Sequence, residues 1–280
     1  MIKIQNLQKN YKDFSLDISL EVPAGTVTGL IGKNGAGKST TIKSILGLIR
    51  PDGGKIEVLG KPPSGFTGKD KEAIGAALSE SGFSQQLTIK DITIILRKFY
   101  HDFEEEKFSR QCREQGLPTD KLLKDFSTGM KAKLRVLVAI SHKAKLLVLD
   151  EPTAGLDVLA RNEILDMLRA YLEEDSERSI LISSHISSDL EGLCDDIYMI
   201  HNGKIILHED TDTILGKYGV LKVNEEEYAA LDKQYLIATK KDKFSYTCLT
   251  KEKQFYLENY PNIVVENGNI DEMIVLLLSK

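Results

Sequence analysis

Gly32-Lys33-Asn34-Gly35-Ala36-Gly37-Lys38-Ser39-Thr40 is the stretch on which the reading of this chain turns. An apolar, β-branched run from Val27 to Ile31 precedes it and an amphipathic run (Thr41, Ile42, Ile45, Leu46, Leu48, Ile49) comes after it, which places it at a strand-to-helix turn. Its three glycines allow a tight backbone whose N–H groups converge on one concavity, and a helix starting near Gly37 adds its positive end. In such a phosphate-binding loop Lys38 reaches the β- and γ-phosphates of a nucleotide and the Ser39 hydroxyl ligates Mg²⁺. The bland alternative is a glycine-rich turn with a solvated lysine. The pattern arises by chance in roughly one unrelated chain of this size in a hundred, so the nucleotide reading leads.

The bulk numbers leave room for such a site. With 280 residues, 41% apolar and 28% charged, the chain reads as globular and long enough for a sizeable core. A net charge of −5 with mixed signs gives no support to a nucleic-acid partner. Cys112, Cys194 and Cys248 lie far apart without metal-ligand spacing, which points to reduced thiols and away from structural zinc. Met1-Ile2-Lys3-Ile4-Gln5 leads into polar sequence, so no secretory signal is expected, and the apolar run Met273 to Leu278 is too short to cross a bilayer.

Alternation at Lys3 to Leu7 and at Phe14, Leu16, Ile18, Leu20 and Val22 predicts an antiparallel sheet with one covered face. Tyr11 stands between these two strands; by itself it reads as a strand-edge tyrosine. A strand is predicted at Lys55 to Leu59. Helical spacing from about Ala77 to Ala144 predicts a mostly helical insertion, and the continuous apolar run Lys145 to Leu149 a strand buried on both faces. A helix at Asn162 to Leu172, a strand at Ser179 to Ser183 and a hairpin turning at Asn202-Gly203 complete an α/β pattern. From Gly216 to Lys280 the texture becomes rich in tyrosine, lysine and glutamate, which reads as a small α+β appendage without legible chemistry.

Asp150 and Glu151 end the apolar run, and ligands collect at the carboxyl ends of such strands. The aspartate suits a hydrated Mg²⁺, and the glutamate can polarise a water for attack on a γ-phosphate. In Phe126-Ser127-Thr128-Gly129-Met130-Lys131, Ser127 reads as an N-cap; alone this is a capped surface helix, although a helix N-terminus with a glycine for close approach also binds anions.

Taken in order, residues 1–215 resemble the nucleotide-binding subunit of an ABC (ATP-binding cassette) transporter. Gly32 to Thr40 matches the family's Walker A motif, Tyr11 falls where an aromatic meets the adenine, Glu80 falls in the Q-loop, and Phe126 to Met130 in the signature. Leu146 to Glu151 matches Walker B, Ala154 to Asp157 the D-loop, and His185 the switch. Glu80 stands where glutamine is usual, and Thr128 and Met130 depart from the common signature, whereas Ser127 and Gly129 are kept. Such variants look like those of bacterial export systems, including peptide and antimicrobial exporters.

The resemblance implies a P-loop ATPase core over residues 1–215, with an N-terminal antiparallel β subdomain and a helical subdomain at about 77–144, and then an accessory region at 216–280. It implies ATP and Mg²⁺ as cofactors. Gly32, Asn34, Gly35, Ala36, Gly37, Lys38, Ser39, Thr40 and Tyr11 would hold the nucleotide, with Ser127 and Gly129 supplied by the opposing subunit of a homodimer or heterodimer. Ser39, Glu80 and Asp150 would face the metal; Lys38, Glu151 and His185 would serve hydrolysis. It also implies a separate transmembrane permease subunit, and with it a peripheral place on the inner face of the cell membrane. A soluble ABC ATPase without a membrane partner is the alternative, but such proteins usually carry tandem cassettes or long coiled coils, and this sequence has neither. A small P-loop kinase or GTPase would leave the signature and His185 unexplained.

Overall fold

Apolar alternation and buried apolar runs build two different sheets in the first part of the chain. In the computed structural model, described for residues 1–79 and 82–279, the chain divides into two compact units. One comprises Met1–Cys194 with Ile200–Ile205, the other Asp195–Met199 with Ile206–Lys280.

The first unit opens with strand β1 (Ile2–Asn10), β2 (Ser15–Val22), β3 (Val27–Ile31), helix α1 (Lys38–Ile45) and β4 (Gly53–Val58). Strands β2, β1 and β4 form an antiparallel sheet in that order, with Ile2 opposite Val22 and Asn10 opposite Ser15. The register slips between Ile4 and Leu7, where Asn6 takes a positive φ of 49°. One face is covered, as the alternation predicts: Leu16, Ile18, Leu20 and Val22 are buried and their neighbours exposed.

The chain continues through α2 (Gly68–Glu72), β5 (Ile74–Ala77), α3 (Ile89–Phe99), α4 (Glu105–Glu114), α5 (Thr128–Ile140), β6 (Leu146–Asp150), α6 (Val158–Glu173), β7 (Ser179–Ser184) and α7 (Ser187–Glu191). A hairpin of β8 (Asp196–His201) and β9 (Lys204–Asp210) comes next, turning at Asn202 and Gly203. Parallel strands run in the order β5-β6-β7-β3, and the hairpin tip continues that sheet beyond β3. Every residue of β3, β6 and β7 is buried, as expected of strands covered on both faces. Register sets Ile31 opposite Ser184 and Asp150 opposite Ser183, so β3, β6 and β7 end at one level.

Two of the differences from the sequence reading have a physical cause in the packing and capping. Strand β5 is not legible in the sequence, because Ile-Gly-Ala-Ala is short and lacks β-branched residues apart from Ile74; it is held by pairing with β6 and by α5 lying on it. Helix α6 begins at Val158, four residues before the predicted start, because the Asp157 side chain caps it by accepting from the Ala160 N–H at 2.9 Å. The helical segment expected from about Ala77 contains α3, α4 and α5.

The second unit carries α8 (Thr211–Lys217), β10 (Gly219–Val223), α9 (Glu225–Ala230), β11 (Leu236–Lys241), β12 (Tyr246–Thr250), α10 (Lys253–Asn259), β13 (Val264–Asn267) and α11 (Ile270–Leu277). Its antiparallel sheet runs β11-β12-β10-β13 over a core of Leu221, Val223, Leu231, Cys248 and Tyr256. The tyrosines that mark this region are its packing material. Tyr228 stacks on Tyr246 at 3.9 Å, and the Tyr256 hydroxyl donates to the Asp232 carbonyl at 2.7 Å.

All three cysteines are buried free thiols, and burial pushes Cys112 up to about 12. Among the described residues no helix is long and apolar enough to cross a membrane.

Helix α5 rests so closely on β5 that a Cβ at Gly75 would lie 2.1 Å from the Ala139 carbonyl oxygen and 2.5 Å from Leu147 Cδ2. Gly75→Ala is therefore expected to destabilise the first unit by about 1–3 kcal/mol through overpacking, read as a lower urea midpoint. An unchanged midpoint would show that α5 moves away at no cost.

Candidate functional site

The site begins where β3 stops. Gly32 comes directly after the last β3 residue, and its missing side chain matters, because a Cβ there would lie 2.4 Å from the Ile200 carbonyl oxygen. The loop then bends through Gly35 at φ +81° and Gly37 at φ +118°, values that L side chains rarely adopt. No side chain caps α1, so the first N–H groups of that helix stay available to an anion. Ser39 and Thr40 are half-buried on its first turn, and Ala36 is buried, its carbonyl accepting from the Gly203 N–H at 2.9 Å.

Lys38, only 5% exposed, is folded back over the loop. Its Nζ donates to the carbonyls of Gly32 and Lys33 and stands 3.0 Å from Glu151 Oε1 as an ion pair. Glu151 itself sits at φ +51°, just beyond β6, with its N–H donating to Ser183 Oγ at 3.0 Å. The other carboxylate oxygen, Oε2, lies 2.6 Å from His185 Nδ1 and accepts from the His185 backbone N–H at 3.3 Å. A lysine, a carboxylate and an imidazole are thus joined across the ends of three strands.

Asp150 lies beneath this chain of contacts and is almost fully buried. Its carboxylate accepts from Ser183 Oγ at 2.8 Å and from Ser79 Oγ at 3.4 Å. Asp150 and the Ser39 hydroxyl are both hard oxygen donors. Among the described residues no group of three His, Cys, Asp or Glu could hold a metal ion. Hard oxygen donors suit a cation such as Mg²⁺, which takes few protein ligands and completes its shell with phosphate and water oxygens.

Lys38, Ser39, Thr40, Ser79, Glu151 and His185 line a cleft of about 750 Å³ that also takes in Tyr11, Asp13, Phe14, Asn34 and Asn202. Tyr11 is half exposed, which leaves its ring open to a planar ligand. Ser79, Ser183, Asp13 and Asn202 were missed by sequence reasoning; each is an ordinary polar residue whose place is set by strand register or by a distant turn. Glu80, expected beside the metal, lies outside the described residues.

Ser127 and Gly129 are elsewhere. Ser127 caps α5, its Oγ accepting from the Met130 N–H at 3.2 Å. With Gly129, Gly155 and Asp157 it lines a second cleft of about 470 Å³ that shares no residue with the first. A side chain at position 129 would meet only Ala160 Cβ, at an ordinary 3.5 Å, and the Ser127 hydroxyl, at 4.0 Å. Packing within this chain therefore does not require the glycine. On the same helix Arg135 donates to the Leu78 and Ser79 carbonyls at 3.1 and 3.0 Å, tying α5 to the residues just before Glu80.

Comparison with known proteins adds a family. The sequence model described as "ABC transporter" matches residues 16–154. The chain is 37% identical over 213 residues to the bacitracin transport ATP-binding protein BcrA of Bacillus licheniformis, covering 74% of this chain and 68% of that protein. It is 35% identical over 216 residues to the lantibiotic transport ATP-binding protein SrtF of Streptococcus pyogenes, covering 76% of this chain and 92% of the relative. A solved ATP-binding subunit of an ABC transporter superposes with a TM-score of 0.67 at 28% identity, over 76% of this chain and 91% of the other.

The loop geometry separates two glycines. A Cβ at Gly37 would lie 2.8 Å from Leu16 Cδ1 and 3.1 Å from Phe14 Cζ, whereas one at Gly35 meets nothing within 4 Å. Gly37→Ala should weaken binding of a fluorescent nucleotide at least about tenfold, and Gly35→Ala less, since it adds backbone strain of about 1 kcal/mol alone. Equal losses in the two titrations would contradict this account of the loop.

Proposed function

This chain belongs to the ABC transporter family as an ATP-binding, ATP-hydrolysing subunit, and from that premise we propose that two copies close over ATP to power export through a separate membrane-spanning subunit. The observation that carries the proposal is that Ser127 and Gly129 line a different cleft of the chain from Lys38, Ser39 and Glu151. A head-to-tail arrangement about a two-fold axis brings the first cleft of one copy against Ser127 and Gly129 of the other. The N-terminus of α5 then faces the γ-phosphate, and the nucleotide becomes part of the interface.

Within each copy the phosphates enter where Glu151 now holds Lys38. One anion replaces another at the Lys38 ammonium, and Glu151 is released toward His185, with which it already shares a hydrogen bond. Lys38 and the N–H groups of the loop and α1 stabilise charge on the phosphates. Ser39 and Asp150 would hold Mg²⁺, which would neutralise charge on the phosphate oxygens. Glu151 takes a proton from the attacking water, and His185 orients Glu151 and contacts the γ-phosphate. Tyr11 covers the base. Loss of the γ-phosphate removes the contacts that join the two copies, and they separate.

Arg135 supports a route from this cycle to a partner. It sits on the helix that begins at Ser127 and holds the Leu78 and Ser79 carbonyls just before Glu80, so movement at the signature reaches the Q-loop, through which this reading couples the cycle to the permease. The chain then works from the inner face of the cell membrane, held there by that partner. Relatives named for bacitracin and lantibiotic transport support antimicrobial peptides as the class of cargo.

Glu151→Gln removes the base while keeping the shape. The variant should bind Mg-ATP, hydrolyse it at least about a hundredfold more slowly, and elute as a dimer only when ATP is present. A persistent monomer at saturating ATP would contradict the proposal.

A further inference from the structure

A second buried carboxylate lies outside the phosphate cleft. Asp189 on α7 is 1% exposed, and its Oδ2 accepts a 2.6 Å hydrogen bond from Thr153 Oγ1, itself fully buried. Its Oδ1 faces Arg161 Nε at 3.4 Å. A buried carboxylate is tolerated only where its charge is met; Thr153 meets it with a hydrogen bond, and Arg161 meets it as an ion pair that makes no hydrogen bond.

The three residues come from three places that matter to the site. Thr153 stands two positions after Glu151, in the turn leaving β6. Arg161 lies in the first turn of α6, just beyond its cap Asp157. Asp189 stands four positions after His185.

Neither Glu151 nor His185 is fixed by an element of its own. Glu151 occupies a left-handed backbone conformation after β6, and His185 lies between β7 and α7. Helix α7 has five residues and no side-chain cap, too little to hold a position unaided. Ser183 fixes the Glu151 amide, and the Asp189 cluster fixes the turn beyond it together with the helix beyond His185. The 2.6 Å separation of His185 Nδ1 from Glu151 Oε2 is the contact that this clamp preserves.

We propose that Thr153, Asp189 and Arg161 form a positioning cluster that holds His185 against Glu151, with Asp189 as its centre. The inference rests on reading Glu151 and His185 as the hydrolytic pair. Asp189 touches no reacting atom and acts through the placement of α7.

The test uses the full chain, with steady-state ATP hydrolysis and the ring ¹⁵N spectrum of labelled histidine. Asp189→Asn keeps the shape and loses the charge. Thr153→Val removes a single hydroxyl and serves if Asp189→Asn fails to fold, and Thr153→Ser puts the hydroxyl back. Expected is a fall in kcat of about tenfold for Asp189→Asn and about threefold for Thr153→Val, with KM for ATP within about twofold of the parent and near-parental rates for Thr153→Ser. The signals lost in His185→Gln, which mark His185 among the five histidines, should shift in both impaired variants without nucleotide. An unchanged kcat, unmoved His185 signals, or a KM that rises as far as kcat falls would each overturn the proposal. Failure of the parent to hydrolyse ATP would instead strike at the hydrolytic reading, which the histidine spectrum does not depend on.

Discussion

Parallel pairing of β3, β6 and β7 is the constraint on which everything else depends. Their register ends three buried strands at one level, and each strand delivers a different chemical tool at its end: the glycine loop and Lys38, then Asp150 and Glu151, then His185. These three sets of groups lie far apart in sequence. Sheet hydrogen bonding brings them together, and burial on both faces leaves the strands little freedom to slide. The crevice at the carboxyl ends of such strands is where α/β folds bind ligands.

Charge balance explains the arrangement of the site. An ammonium as buried as that of Lys38 needs acceptors, and it has two loop carbonyls and the Glu151 carboxylate. Glu151 in turn divides its two oxygens between Lys38 and His185. In the proposed mechanism a triphosphate competes with the Glu151 carboxylate for Lys38, which couples nucleotide binding to release of the proposed base. The signature helix stays outside that circuit, because Ser127 and Gly129 open onto a different cleft.

Much of this was legible in the sequence because some chemistry admits few residue types. A loop that wraps phosphate requires glycines at fixed intervals, and a strand buried on both faces that ends in carboxylates is rare enough to stand out. Alternation in β2 and the Asn202-Gly203 turn were readable for the same reason: local geometry dictates composition. Long-range packing was not readable. Strand β5 exists because β6 and α5 hold it, and Ser79, Ser183 and Asp189 gain their roles from strands and helices far away in the chain. The second unit shows the same limit, since its tyrosines announce aromatic packing but not the β11-β12-β10-β13 order that uses them.

The central claim is that each phosphate site takes its loop from one copy and its helix N-terminus from another. Mixing two inactive variants tests it directly: Lys38→Met, with a defective loop and an intact signature, and Gly129→Asp, with the reverse. Each alone spoils both sites of its own dimer, but a mixed pair contains one site in which both halves are sound. The account predicts that an equal mixture regains about a quarter of the parental ATPase rate, as random pairing gives half mixed dimers with one working site of two. A mixture as inactive as its components would contradict it and confine the site to a single chain.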